Sequence, residues 1–257
     1  MIYGAEQAMI EKNPMKRLAL KWVGTTHLGD RSRNHYLVRA LRRITLPNAP
    51  HVFNAGCSNG AHSFYLARLF PAWRITGMDI DGKKVEQAGE IARKIKAQNL
   101  HFQRGDLKTI SFNGLFDLIF SMHVLTFIRE DLKVLNRFYR ALKQGGYLIL
   151  SVPTPPIVPR LPWLRRGSLP CRDERIGYTN EEISQKIKKV GFSLIALCNP
   201  AGLLGQITWE ISSALEGKKL LRIFIHPFFI LLVDLDHLIE NKAPFPKGTD
   251  CLVIAQK

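Results

Sequence analysis

From residue 51 onward the spacing of apolar positions switches repeatedly between strand-like runs and helical repeats. Apolar runs at His51–Ala55, Arg74–Met78, Leu100–Arg104, Phe116–Ser121, Tyr147–Val152, Phe192–Cys198 and Cys251–Ala255 predict seven strands. Between them, apolar residues three and four apart predict helices over Gly60–Phe70, Lys83–Ala97, Asp131–Lys143 and Thr179–Val190. Thr179 with Glu182 three residues later is a capping-box pattern, and Gly191 ends that helix. Gln144-Gly145-Gly146 reads as a turn. Alternation of this kind implies crossover units and a parallel sheet with helices on both faces.

The flanking segments read differently. Residues 1–46 look helical, in two pieces divided by Pro14 and the Thr25–Asp30 stretch. In the second piece Tyr36, Leu37, Ala40, Leu41 and Ile44 form an apolar face, while Arg31, Arg33, Arg39, Arg42 and Arg43 carry charge. Pro153 to Pro170 is proline-rich and irregular. Asn199–Asp250 separates the last two strands and holds two expected helices. Connections in such folds are ordinarily about 2–6 residues, so this insertion is expected to have a task of its own. The expected division is a helical cap over 1–47, a core over 48–198 plus 249–257, and a helical insertion or lid over 199–248.

Composition narrows the class. Hydrophobic residues make up 46% of the 257, enough for a sizeable core. Lys and Arg outnumber Asp and Glu by 37 to 21, a net charge of +16 that favours anionic partners such as nucleic acid, lipid head groups or acidic small molecules. Cys57, Cys171, Cys198 and Cys251 show no Cys-x-x-Cys spacing, which argues against zinc and thioredoxin-like chemistry and makes a reducing cytoplasm the expected compartment. The first twenty residues lack the unbroken apolar run of a signal peptide. Leu220–Ile239 is the most apolar stretch. Arg222, His226, Pro227, Asp234, Asp236 and His237 interrupt it, so it makes a poor membrane span. It reads equally as a lid helix or as a helix seated on the inner face of a membrane.

The candidate chemistry begins at Asn54-Ala55-Gly56-Cys57-Ser58-Asn59-Gly60, between a strand and a helix. Glycines there let the backbone turn sharply and approach a ligand, and the following helix points its amides at it. Asp79 ends the next strand 23 residues after Gly56, near the offset at which an acid grips ribose hydroxyls. Two rival patterns overlap this loop. A nicotinamide fold wants Gly-x-Gly-x-x-Gly, and the middle glycine is missing. A hydrolase elbow, Gly-x-Ser-x-Gly, would make Ser58 a nucleophile, but several strands normally precede it and only one does here.

Five motifs in order then carry a family resemblance. They are Phe53-Asn54-Ala55-Gly56-Cys57-Ser58-Asn59-Gly60, Gly77-Met78-Asp79, Gly105-Asp106, Phe116-Asp117-Leu118-Ile119 and Arg140-Ala141-Leu142-Lys143-Gln144-Gly145-Gly146. The chain resembles class I S-adenosylmethionine-dependent methyltransferases of the type 11/12 group. The resemblance implies a Rossmann-like, seven-stranded, mostly parallel sheet. It also implies methyl transfer to a small molecule, lipid- or sugar-linked in some relatives, with release of S-adenosylhomocysteine. A non-catalytic cofactor-binding relative and an RNA methyltransferase are the alternatives. Cofactor contacts are implied at Asn54, Gly56, Ser58, Gly60, Asp79, Ile80, Asp106, Leu107 and Ser121. Asn54 stands where the family usually has an acid, and Ser58 where it has glycine.

His123, just beyond the fourth strand, is the candidate catalytic residue, with cleft lining as its other reading. His27, in the cap, and Arg175 and Tyr178, ahead of the Thr179 helix, are candidate substrate contacts. No metal site is expected. The expected partner is a small anionic or lipid-like acceptor, with a membrane surface next and nucleic acid less favoured.

Overall fold

The computed structural model describes residues 4–24, 28–155, 161, 175–200, 203–215, 219–240, 248 and 250–257. Helices α1 (Pro14–Val23) and α2 (Leu28–Leu41) precede the sheet. Then follow β1 (His51–Ala55), α3 (Ala61–Leu69), β2 (Arg74–Asp79), α4 (Gly82–Lys94), β3 (Leu100–Arg104), β4 (Phe116–Met122), α5 (Asp131–Ala141) and β5 (Leu142–Pro153). The chain closes with α6 (Asn180–Val190), β6 (Ser193–Cys198), α7 (Leu203–Ala214), α8 (Lys219–Glu240) and β7 (Asp250–Gln256). The seven strands form one sheet in the order β3-β2-β1-β4-β5-β7-β6. The first five pair in parallel, and β7 runs antiparallel to both β5 and β6.

Alternation along the strands sorts the core onto two faces. Val52, Ile75, Leu118, Phe120 and Ile149 meet Tyr36, Leu37 and Ala40 of α2 and Leu66 and Ala67 of α3. Phe53, Ile119, Leu148 and Leu150 meet Val134, Leu135 and Phe138 of α5 and Ile183 and Ile187 of α6. Each fully buried side chain of this size stabilises the fold by about 1.5–3 kcal/mol relative to exposure. The antiparallel β7 matters for the site because its first residue, Asp250, lies beside the carboxyl ends of the parallel strands, paired with Pro153. In open α/β sheets that edge is where ligands bind.

Three expected boundaries shift, each for a local reason. Gln144-Gly145-Gly146 lies within β5 rather than before it. Leu142 pairs with Phe116 and Tyr147 with Leu118, so the glycines bulge out of the register, with Gly145 at φ 76°. Helix α4 stops at Lys94 rather than Ala97 because Lys96 takes a left-handed φ of 54°. Helix α2 already runs at Leu28, inside the stretch expected to break it, and Leu28 packs on Phe229, Ile230 and Val233 of α8.

That contact anchors the inserted pair α7–α8 to α2. Arg31 grips Asp234 with two parallel bonds of 2.8 and 2.6 Å, and His35 lies 3.1 Å from the same carboxylate. Burial would raise the Asp234 pKa, but the Arg31 and His35 bonds overturn this and hold it well below the usual carboxylate range. Asp236 accepts from the Gly205 and Leu204 amides at 2.8 and 3.3 Å, capping the start of α7. Among the described residues no helix is long and apolar enough to cross a membrane.

Candidate functional site

The loop after β1 is held open by backbone geometry. Gly56 and Gly60 sit at φ 81° and 79°, and Ser58 takes φ 49°. The Gly56 and Cys57 amides both donate to the Met78 carbonyl at 2.9 Å, stitching the loop to the end of β2. Asp79 completes the stitch. Its Oδ2 accepts from the Ser58 amide at 2.7 Å and its Oδ1 from the Asp81 amide at 3.0 Å. This brace explains how a serine can occupy a left-handed position, which costs a residue with a Cβ roughly 1–2 kcal/mol. Each carboxylate oxygen keeps a further lone pair for a hydroxyl. Ile80, next in the chain, is 63% exposed, an apolar surface beside that acid.

Asn54 is buried and its amide donates to Ser63 Oγ at 2.9 Å, tying β1 to α3. Ser121 Oγ donates to the Ala55 carbonyl at 2.9 Å. Both are therefore structural supports of the loop. Asp106 accepts from the Lys108 amide at 2.8 Å, turning the chain after β3, and Leu107 is buried there. The Cys57 thiol is pushed well above its ordinary range, first by burial and then by Asp79, which leaves it an inert packing group.

The segment after β4 presses directly on the glycine loop. A Cβ built on Gly56 would meet Val124, 2.8 Å from Cγ1 and nearer still to Cγ2. One residue earlier, His123 stands at φ 58° with its amide on the Ser151 carbonyl at 2.8 Å. Its ring is held from two sides. Arg33 of α2 lies 3.3 Å from Nδ1, and Asp250 Oδ2 lies 2.9 Å from Nε2. Arg33 has only protons to give, so Nδ1 is the acceptor, while Nε2 is buried within ion-pair reach of Asp250 and makes no hydrogen bond. Arg33 also donates to Asp30 at 2.5 Å.

His62, in the first turn of α3, joins this cluster, with Nδ1 3.4 Å from Asn34 Oδ1. Burial is the main cause that lowers its pKa to about 4. Asp30 opposes the shift, and Arg33 and His123 add to it. The folded protein thus resists a proton that the unfolded chain takes up near pH 6.5. Stability is expected to fall as pH drops from 6.5 towards 4 and to level off below that, by an order of about 3 kcal/mol. Urea unfolding at pH 7.5 and 4.5 checks this, with His62→Phe predicted to flatten the dependence. An equal pH slope in that variant would exclude His62 as the cause.

The remaining sequence candidates separate from this cluster. His27 lies outside the described residues, as do Cys171 and the Trp163–Arg166 stretch. Tyr178 has no surface to offer a substrate. It is fully buried, and its hydroxyl donates to Asp131 Oδ2 at 2.8 Å. Burial, then that bond, raises its pKa well above the ordinary phenol. Arg175 stacks 3.8 Å over the Tyr178 ring and donates to Glu182 at 2.6 Å and to the Gly177 carbonyl at 2.8 Å. Both brace the entry to α6; burial corrects the expectation of a substrate contact at Tyr178, whereas the Arg175 side chain stays 32% exposed. Tyr178→Phe is expected to cost about 1–3 kcal/mol by stripping a partner from buried Asp131. KM for any acceptor should stay unchanged, and a raised KM at unchanged stability would restore the contact role.

Sequence reading missed Asp30, Arg33, His62 and Asp250. Asp30 and Arg33 share α2 three residues apart, while His62 and Asp250 come from distant segments, and no local spacing connects these to that pair. Among the described residues no group of three or more metal-ligating side chains converges.

The fold has known counterparts. A family model described as a methyltransferase domain matches residues 48–221. The trans-aconitate 2-methyltransferase of Deinococcus radiodurans is 32% identical over 110 residues, covering 42% of this chain and 40% of that protein. The chain spans less than half the length of the curated relatives it matches. Among solved structures, the [4+2]-cyclase SpnF superposes with a TM-score of 0.61 at 17% identity, covering 88% of this chain and 80% of that one. Phosphoethanolamine N-methyltransferase 2 of Haemonchus contortus, solved with S-adenosyl-L-methionine, superposes with a TM-score of 0.59 at 20% identity, covering 88% and 52%.

Proposed function

The chain belongs to the class I S-adenosylmethionine-dependent methyltransferase family, and from that premise we propose that it methylates an anionic oxygen of a small carboxylic acid. The cofactor supplies a methyl group already activated on a sulfonium. The residues present fit it. Asp79 keeps free lone pairs for the ribose hydroxyls, Ile80 offers the adenine an apolar face, and Asp106 with Leu107, at the turn after β3, would meet the adenine edge. Gly56 and Gly60 supply close backbone approach at the methionine end, supported from beneath by Asn54, Ser58 and Ser121.

The observation that carries the acceptor class is the engagement of His123 Nδ1 by Arg33. Its Nδ1 lone pair faces Arg33, and its Nε2 is buried 2.9 Å from Asp250 Oδ2 without a hydrogen bond. A ring held this way lines the cleft and must shed Arg33 before it can accept a proton. Such a site suits a nucleophile that arrives deprotonated, for which no general base is needed. The D. radiodurans relative is named for a carboxylic acid, trans-aconitate. Alignment of acceptor and methyl group then supplies much of the rate. A lipid tail on the acid would find apolar surface on α8, where Phe228, Leu231 and Leu235 are exposed. This reading keeps residues 1–47 as a cap that lends Arg33, 48–198 with 249–257 as the core, and 199–248 as the lid.

The test is release of S-adenosylhomocysteine from a panel of di- and tricarboxylic acids, trans-aconitate included, beside amine and phenol acceptors. Turnover with acids should stay flat above about pH 6, where carboxylates are already ionised. His123→Gln should cost about tenfold in kcat, well short of the 10²–10⁴-fold typical of a lost general base. Turnover confined to amines or phenols, or a larger loss, would overturn the acceptor class.

A further inference from the structure

Helix α1 carries an apolar stripe turned to solvent. Met15, Leu18 and Trp22 are 81%, 58% and 75% exposed. At 3.6 residues per turn they fall within about 60° of one another around the helix. The helix is well defined at both ends. Asn13 Oδ1 accepts from the Lys16 amide at 3.1 Å, Pro14 opens the first turn, and the Gly24 amide closes on the Leu20 carbonyl at 3.0 Å. Its inner side, at half-buried Leu20, faces the protein, so the stripe is not a core face out of place.

The charges around the stripe identify what covers it. Lys16, Arg17 and Lys21 are exposed on the same helix, Lys12 precedes it, and Pro14–Val23 holds no acidic residue. We propose that α1 docks on an anionic lipid surface, with Met15, Leu18 and Trp22 entering the acyl boundary and the flanking cations meeting the head groups. A second copy of the chain is a poorer occupant, because pairing two stripes would also bring their basic flanks together. The Ala5–Met9 turn ahead of α1 connects this surface to the site. Gln7 donates to the Asn59 carbonyl of the glycine loop at 3.2 Å, and Glu6 pairs with Arg68 of α3. Docking therefore sets the cofactor loop at a fixed distance from the membrane. The proposal is independent of the acceptor class above.

The experiment is co-sedimentation of the full chain with vesicles of phosphatidylcholine alone or mixed with phosphatidylglycerol, at low and high salt. The expected result is binding to the mixed vesicles, weakened by salt and at least tenfold weaker for Leu18→Glu/Trp22→Glu. Lys16→Gln/Arg17→Gln/Lys21→Gln should lose the preference for phosphatidylglycerol. All these side chains are exposed, so thermal unfolding and S-adenosylmethionine affinity should match the parent. Absent or charge-indifferent binding would overturn the proposal. So would unchanged binding of the double variant, or a lipid-free dimer that the double variant dissolves.

Discussion

Replacing Asp79 with alanine is expected to weaken S-adenosylmethionine binding by at least about 100-fold, the loss of one or two hydrogen bonds to a charged group. The acid does two jobs at once. It offers lone pairs for the ribose, and it holds the Ser58 amide at 2.7 Å and the Asp81 amide at 3.0 Å. Without it Ser58 has no compensation for φ 49° and the loop relaxes away from the cofactor. Asp79→Asn keeps the shape but gives up one accepting oxygen and the charge, so an intermediate loss of about tenfold is expected. Calorimetric titration of the three proteins reads both effects. A change below tenfold in the alanine variant would remove Asp79 from the site.

The second large effect falls on Gly56. Alanine there would hold φ 81° and press its Cβ into Val124. The left-handed conformation costs about 1–2 kcal/mol and overpacking about 1–3, so Gly56→Ala should destabilise by roughly 2–5 kcal/mol. Combining it with Val124→Ala separates the two causes. The steric part should vanish and the conformational part remain, leaving the double variant about 1–3 kcal/mol more stable than the sum of the singles. Urea unfolding of the four proteins closes the cycle. Strict additivity would mean that Val124 does not sit on the glycine loop.

The sheet was legible because strand and helix periods alternate cleanly between residues 51 and 198. The Thr179 cap was legible in its chemistry: its hydroxyl accepts the Glu182 amide at 3.1 Å. The glycine loop and Asp79 were found by spacing, yet the bond between Ser58 and Asp79 was not, since sequence carries no distance. The bulge at Gly145 looked like a turn because glycines at φ 76° serve both. Tyr178 looked available because its position before a helix says nothing about which way it faces. The largest gap was the His123 cluster. Arg33 sits among the three arginines of α2 and reads as a solvated face, and only packing of that helix against the sheet brings it 3.3 Å from Nδ1. Asp250 enters because β7 runs antiparallel and starts where the parallel strands end.

The central claim is that the cofactor lies across Gly56 and Asp79 with its methyl group facing His123. A crystal structure of the protein with S-adenosylhomocysteine tests it most directly. The ribose hydroxyls should sit on Asp79, the adenine against Ile80, and the sulfur should open towards the His123–Arg33 side of the cleft. Ribose bound away from Asp79, or sulfur turned from His123, would contradict it.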